Sequence, residues 1–398
     1  MDRRTFLVGA AATATATTLR AAAPQKKYRV AIIGCGRMGQ YFAEVYRRLP
    51  HTELAAIAEW NDDRRPVVGK RFGVTALYKD VNAMLEKFVP DIAAVITPTR
   101  FMHEAVVKCA EAGVKGISTD KPIAARLSDA DEMVDACKKS GAVFAGGNLQ
   151  RAKWEVQHAA KRLHSGEFGK IIGAAVHGFG GEISGGGCQH MCVLRLFTGA
   201  EVEEVIAWGS PPEALKQDND TGLNINGRMR LSTGIDCQVF GISNEYGQQG
   251  NRIGVDVWTE NALVSWNWGA PKIFQGRDAK GARKEIDPNY PAFPWADVLK
   301  KPPIHESDDY LVSSITSFIK AVDADSESEL YISGNDLRQA LEIAIACKQS
   351  AVLGSRPVKL PLKDRSLSLL PSPYRWVGGD QTGNVQSQED ATGKGDQP

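Results

Sequence analysis

Short apolar runs alternate with amphipathic stretches along the first 145 residues of the chain. The apolar runs are brief, rich in β-branched residues and apolar at successive positions, which is typical of strands buried on both faces. The stretches between them repeat apolar residues every three or four positions, as helices do. The predicted elements lie at 28–33, 40–49, 53–58, 91–97, 103–112, 114–118, 127–140 and 142–145. This order predicts an α/β fold with a doubly wound parallel sheet.

The remainder of the chain alternates apolar and polar residues in a way that favours a second, α+β domain. Its strands should form an open, mostly antiparallel sheet, with a loop-rich segment at 272–303 and an amphipathic helix at 310–322. Trp258, Trp266 and Trp268 fit either a core or a wall on which a sugar ring stacks. The predicted strands are 171–178, 227–231, 236–242, 252–259 and 262–268.

A glycine motif separates the first predicted strand from the first predicted helix. In the G-x-G-x-x-G pattern, Gly34 permits a tight turn, Gly36 lets the backbone approach a pyrophosphate, and Gly39 permits close helix–strand packing. The helix N-terminus then attracts the phosphates. The motif predicts a Rossmann domain that binds a dinucleotide through Gly34, Gly36, Arg37, Met38 and Gly39.

Glu59 ends the second strand, about 20 positions after the last glycine, where an acid is expected to bind the adenosine ribose hydroxyls. A carboxylate there repels a 2′-phosphate, so the sequence favours NAD. Arg64 and Arg65 keep NADP open, because a nearby arginine accepts that phosphate.

The N-terminus has the order of a secretory signal. Arg3 and Arg4 precede a weakly apolar run and the small residues Ala21 to Ala23, and the arginine pair resembles a twin-arginine signal. Such export predicts a periplasmic protein whose cofactor is bound tightly and regenerated on the enzyme. The predicted organisation is a signal peptide at 1–25, a Rossmann domain at 26–145, a substrate and oligomerisation domain at 146–375 and a disordered tail at 376–398.

The composition limits the classes of binding partner that the sequence predicts. The 398 residues carry 48 Lys and Arg against 47 Asp and Glu, so the balance indicates no nucleic-acid partner. No apolar run beyond the N-terminus is long enough to anchor the chain in a membrane. The seven cysteines lack paired ligand spacing, which predicts buried thiols and no metal site.

Five short motifs, in order, resemble the glucose–fructose oxidoreductase/inositol dehydrogenase superfamily. They are Thr97-Pro98 with His103, Asp120-Lys121-Pro122, Gly147-Asn148 through Arg151, Ser165-Gly166 through Ile171, and Gly334 through Ala340. The resemblance implies that Thr97, Pro98, His103 and Asp120 contact the cofactor. It also implies that Lys121 lies in the active site and hydrogen-bonds the reacting hydroxyl. A carbohydrate substrate and a homo-oligomer formed through the second sheet follow from the same resemblance.

The segment before Thr198-Gly199 departs from the family pattern. The family places an Asp four residues before a His there, whereas Gly185 and Gly186 occupy those places. His190 is the candidate acid/base, since imidazole titrates near neutral pH. The other candidates are Arg151, His177 and Gln189 for substrate binding, with His177 and Glu182 in reserve as acid/base groups.

These features predict an NAD-dependent oxidoreductase that acts on a sugar or polyol hydroxyl. A second hypothesis is a glycoside hydrolase that uses NAD transiently, through oxidation of a ring hydroxyl, elimination and water addition. A third is a non-catalytic sugar-binding module that kept the fold.

Overall fold

A computed structural model of the protein describes residues 27–242, 253–299 and 309–377. The predicted signal peptide at 1–25 and residues 378–398 of the predicted tail lie outside these ranges. The last described helix extends to Val377, two residues into the segment predicted as disordered.

The first domain is built on a six-stranded parallel sheet with the order β3-β2-β1-β4-β5-β6. Its elements are β1 Tyr28–Ile33, α1 Arg37–Arg48, β2 Thr52–Ala58, α2 Arg64–Phe72, β3 Leu77–Tyr78, α3 Val81–Leu85, β4 Ile92–Val95, α4 Thr99–Glu111, β5 Gly116–Thr119, α5 Leu127–Ser140 and β6 Val143–Ala145. Strand order reverses between β1 and β4. Ligands of open α/β sheets bind at such a switch point, beyond the carboxyl ends of the strands.

The second domain carries a nine-stranded sheet in the order β14-β13-β12-β11-β7-β10-β9-β8-β15. The elements are α6 Trp154–His164, β7 Ile171–His177, α7 Gly187–Thr198, β8 Val202–Ser210, α8 Pro212–Leu215, β9 Asn224–Leu231, β10 Asp236–Phe240, β11 Gly254–Thr259, β12 Ala262–Trp266, β13 Lys272–Arg277, β14 Arg283–Ile286, α9 Ala296–Leu299, α10 Asp309–Ala324, α11 Gly334–Val352, β15 Val358–Lys359 and α12 Pro373–Val377. The pairing is antiparallel except between β7 and β10.

The two-domain α/β fold predicted from the sequence is confirmed. The segment predicted as loop-rich also contains the β13–β14 hairpin, which the sequence did not predict because its strands are mostly exposed and lack a strong apolar alternation. Trp266 is buried, as a core residue would be, whereas Trp268 is 39% exposed. All seven cysteines are buried free thiols, as predicted.

Helix α10 comes late in the chain but covers a face of the first sheet. Leu311, Ile315 and Phe318 pack in one core with Val30 and Ile32 of β1. The apolar stripe of α10 thus finds its partner nearly 300 residues upstream, which fastens the second domain to the first.

Candidate active site

A cleft of about 630 Å³ opens at the carboxyl ends of the central parallel strands. One end is lined by the glycine turn after β1 and by Glu59 after β2. The other end is lined by Lys121, which follows β5, and by Arg375 of α12. The sheet therefore brings the predicted cofactor residues and the predicted catalytic lysine into one cavity.

The three glycines of the turn differ in their surroundings. Gly34 has φ +87°, and a side chain there would also meet the Ile96 carbonyl oxygen at 2.6 Å. A Cβ on Gly39 would lie 1.9 Å from the Gly34 carbonyl oxygen, so helix α1 packs directly on the turn. A Cβ on Gly36 would meet nothing within 4 Å, because this position faces the open cleft. The geometry fits a turn shaped for a pyrophosphate group.

Glu59 lies at the cleft wall but is 2% exposed. Its Oε2 accepts a hydrogen bond from the Cys35 backbone N–H at 2.6 Å, and its Oε1 accepts one from the Asn61 N–H at 2.9 Å. The Arg64 guanidinium lies 3.9 Å from the carboxylate. Glu59 therefore supports the glycine turn directly, in addition to the ribose contact that the sequence predicts for it.

Two residues that line the cleft carry a buried polar atom that makes no hydrogen bond within the described ranges. These atoms are Arg37 Nε and Thr97 Oγ1. Orphaned buried donors and acceptors are costly in a protein, and a bound ligand relieves them. Together with the space over Gly36, they fit a dinucleotide cofactor.

The other cofactor residues predicted by resemblance divide into two groups. Met38, Pro98 and Asp120 line the cleft. His103 does not line it, and its Nε2 lies 2.9 Å from Glu132 Oε2 on α5. On α4, the residues that reach the cleft are Thr99, Phe101, Met102, Glu104 and Ala105.

Lys121 lies near both positively and negatively charged side chains. Burial lowers the pKa of its ammonium, the Arg375 guanidinium lowers it further, and Asp120 and Glu182 act in the other direction. The ammonium makes no hydrogen bond to the part of the chain that the structure describes, and it lines the cleft. A lysine with a lowered pKa can accept a proton at neutral pH.

Glu182 lies in the loop before α7, near enough to Lys121 to influence its pKa, but it is not among the residues that line the cleft. Both of its carboxylate oxygens lie 2.7 Å from Arg375 Nε, and Ser372 Oγ donates to Oε1 at 2.8 Å. Burial alone would raise the pKa of Glu182, but Arg375, Ser372 and Lys121 together hold it below its usual value. Glu182 is therefore an ionised carboxylate beside the lysine.

His190 lies on the first turn of α7 and is 2% exposed. Its ring meets Phe179, Trp266 and Trp268 edge-to-face, with centroids 6.3, 5.8 and 5.7 Å away. Burial lowers the pKa of this imidazole to about 4. His190 is absent from the lining of the cleft that holds Lys121. The structure thus places it as a neutral ring inside an aromatic enclosure.

The three candidates for substrate binding also have structural partners. Gln189 Oε1 accepts the Gln150 N–H at 2.7 Å, and His177 Nε2 lies 3.2 Å from Asp256 Oδ2. Arg151 donates to the Tyr331 and Cys192 carbonyl oxygens at 2.9 and 3.1 Å. None of the three lines the cleft.

Sequence reasoning missed several residues that line the cleft, among them Trp60, Tyr374 and Arg375. Trp60 is 53% exposed beside Glu59, while Tyr374 and Arg375 come from the far C-terminal part of the chain. The position of Trp60, directly after the acid of β2, was a usable signal. Nothing local in the sequence connects residue 375 with the end of β5.

A six-stranded parallel sheet, a glycine turn and an open cleft at its switch point define a dinucleotide-binding Rossmann domain. Residues 28–147 match the GFO_IDH_MocA family model, an oxidoreductase family with an NAD-binding Rossmann fold. This segment is therefore similar to the NAD-binding domain of that family.

Two curated relatives and one solved structure describe the similarity. The chain is 28% identical over 195 residues to myo-inositol 2-dehydrogenase of Thermotoga maritima, covering 46% of this chain and 58% of that protein. It is 30% identical over 146 residues to 2,7-anhydro-N-acetylneuraminate hydratase of Mediterraneibacter gnavus, covering 36% and 37%. The chain thus spans about half or less of the length of these relatives.

The structural similarity extends further along the chain. Levoglucosan dehydrogenase in complex with NADH superposes with a TM-score of 0.68 at 20% identity, covering 85% of this chain and all of that one. At this identity the likeness shows the fold, which includes both domains. Within the described ranges, no helix combines the length and the apolar character needed to span a membrane.

Proposed function

We propose that this protein is an NAD-dependent oxidoreductase that acts on a hydroxyl group of a sugar or polyol. One observation carries the proposal: Lys121 shares a single cleft with a glycine turn whose open position, Gly36, leaves room for a pyrophosphate. The relative named myo-inositol 2-dehydrogenase supports a polyol-type substrate.

The bound cofactor would supply a hydride acceptor at its nicotinamide ring. Residues of the glycine turn would hold the diphosphate, and Glu59 would keep that turn in shape through Cys35. Lys121 would bind the substrate hydroxyl and take its proton as the hydride leaves carbon. His190 lies outside the lining of the cleft and has a pKa of about 4, so it would have a structural role and would not act as a proton donor.

We further propose that the mature protein works in the periplasm and keeps its cofactor bound. The signal-like N-terminus supports export, and free nicotinamide cofactor is scarce outside the cytoplasm. Retention requires that one substrate be oxidised and another reduced on the same enzyme. NAD is preferred over NADP because the acid at residue 59 disfavours a 2′-phosphate.

The alternative is a redox-neutral glycoside hydrolase that uses NAD transiently: it would oxidise a ring hydroxyl, eliminate the glycosidic substituent, add water to the double bond that results and then restore the hydroxyl. The relative named 2,7-anhydro-N-acetylneuraminate hydratase favours it, since hydration involves no net redox change.

The test begins with purified exported protein, which is denatured so that any released nucleotide can be assayed. Native protein is then incubated, without added cofactor, with sugars in oxidised and reduced pairs and with nitrophenyl glycosides. Paired oxidation and reduction supports the oxidoreductase, and nitrophenol release supports the alternative. Protein that holds and binds no nicotinamide nucleotide would refute both.

A further inference from the structure

The C-terminal helix α12 contributes side chains to a cleft that otherwise belongs to the first domain. Tyr374 and Arg375 line the cleft together with Lys121, and α12 packs against α4. The helix has only five residues, so its position depends on side-chain anchors and not on its own stability.

The main anchor is the contact between Arg375 and Glu182. Arg375 Nε lies 2.7 Å from both carboxylate oxygens, and Ser372 binds the same carboxylate. Gly185 makes the contact possible. A Cβ at that position would lie 2.6 Å from Glu182 Oε2 and 2.7 Å from Arg375 Nε. The glycine found where the sequence pattern called for an aspartate therefore leaves room for an ion pair.

This anchor uses only one of the three guanidinium nitrogens. Within 27–242, 253–299 and 309–377, the two terminal nitrogens of Arg375 make no hydrogen bond, and its side chain is 28% exposed. A guanidinium with free terminal N–H groups matches the two oxygens of a carboxylate. Lys121 adds a second positive charge beside Arg375, and the two cations together offset the carboxylates of Glu182 and Asp120, so a ligand carboxylate meets no net negative charge there.

We propose that Arg375 is a specificity-determining residue that binds a carboxylate group on the substrate while the reacting hydroxyl lies at Lys121. The substrate class is then a sugar acid, such as a hexuronate or aldonate. This inference rests on the proposed sugar oxidoreductase function and narrows its substrate. Glu182 is the positioning residue that holds Arg375 in place.

The test compares wild-type protein with Arg375→Ala and Arg375→Lys, and uses Arg283→Ala on the exposed strand β14 as the matched control. Hexuronates and the corresponding neutral hexoses are assayed for kcat/KM, and their binding to NAD-loaded protein is measured by calorimetry. NAD affinity is measured separately. Circular dichroism and thermal unfolding establish that each variant is folded.

We expect wild-type protein to prefer the acidic sugar. Measured at a pH above the acid limb of the kcat profile, Arg375→Ala should lose about 100-fold more in kcat/KM for the hexuronate than for the neutral hexose, with NAD affinity unchanged. Lysine keeps the charge but not the paired donors, so Arg375→Lys should fall between the two. The control should behave as wild type.

Three results would overturn the inference while leaving the proposed function intact. They are a wild-type preference for neutral sugars, an equal loss on both substrates in Arg375→Ala, or a loss of NAD affinity in that variant. If the proposed function itself is wrong, the wild-type protein will bind no NAD and turn over no sugar. That result would also refute the inference about Arg375.

Discussion

The carboxylate of Glu59 accepts a hydrogen bond of 2.6 Å from the backbone N–H of Cys35, the second residue of the glycine turn. An acid at the end of β2 therefore supports the loop after β1. Cofactor affinity and local stability should depend on the same side chain.

Replacing Glu59 with Ala should weaken NAD binding about tenfold or more and lower the free energy of unfolding by about 1–3 kcal/mol, because the buried Cys35 N–H loses its acceptor. Glu59→Gln keeps one acceptor oxygen and should lose less stability. Isothermal titration and urea unfolding measure the two effects. Unchanged stability in Glu59→Ala would argue against the supporting role.

Substitution of Gly36 should affect NAD binding, whereas substitution of Gly39 should affect stability. Gly36→Ala places a methyl group in open space, so stability should stay near that of wild type while NAD affinity falls about tenfold or more. Gly39→Ala drives a methyl group against the Gly34 carbonyl and should cost about 1–3 kcal/mol of stability. Thermal unfolding and NAD titration of both variants check this. Full NAD affinity in Gly36→Ala would contradict the phosphate site.

Lys121→Met should reduce kcat by about 10²- to 10⁴-fold, since the hydroxyl loses its proton acceptor. Retained NAD affinity would show that the loss is chemical. A variant with near wild-type kcat would rule out this lysine as the base.

The pH dependence of kcat should show how neighbouring groups change the pKa of Lys121. Burial and then Arg375 lower the pKa of this lysine, and activity requires its neutral form, so kcat should fall as pH drops through that pKa. Removing Arg375 takes away a like charge, which raises the lysine pKa. In Arg375→Gln the acid limb should therefore move to higher pH. No movement would mean that another group sets the limb.

Asp220 should make stability depend on pH. Burial raises its pKa to about 6, although its Oδ2 accepts the Ser184 N–H at 2.6 Å. A folded-state pKa above the unfolded value of 3.8 means that stability is lost as pH rises from about 4 through 6. At pH 8, Asp220→Asn should be more stable than wild type by up to about 3 kcal/mol, and the gain should vanish near pH 4.

Urea unfolding at both pH values measures this difference, with the exposed neighbour Asp218→Asn as the control. Equal destabilisation of Asp220→Asn at both pH values would show that the hydrogen bond outweighs the ionisation.

Local pattern was sufficient for the first domain. Strand β1 and helix α5 have the predicted bounds, Tyr28–Ile33 and Leu127–Ser140. Both are dictated by short-range features: a continuous apolar run in one, and helical spacing ended by Gly141 in the other. The glycine turn is equally local, because its three roles depend on neighbours within a few residues and on one adjacent strand.

The surroundings of Lys121 could not be predicted from short-range features of the sequence. Its partners come from the loop before α7 and from α12, so Glu182 and Arg375 meet only when the second domain and the C-terminal segment pack on the first. The role of His190 could not be predicted from local sequence either. A histidine at a helix start suggests a catalytic role, yet two aromatic residues that enclose it, Trp266 of β12 and Trp268 just after it, lie more than 70 positions further along the chain.

The sequence alone determined the class of fold, the glycine turn and the position of Lys121 just after β5, since these follow from periodicity, from residues close together in the chain and from the resemblance to family motifs. Tertiary structure decided which charged groups face that lysine, which imidazole is buried, and that residue 375 reaches the cleft. The physical reason is that burial and electrostatic pairing depend on distances in space, and those distances are set by packing between elements far apart in sequence.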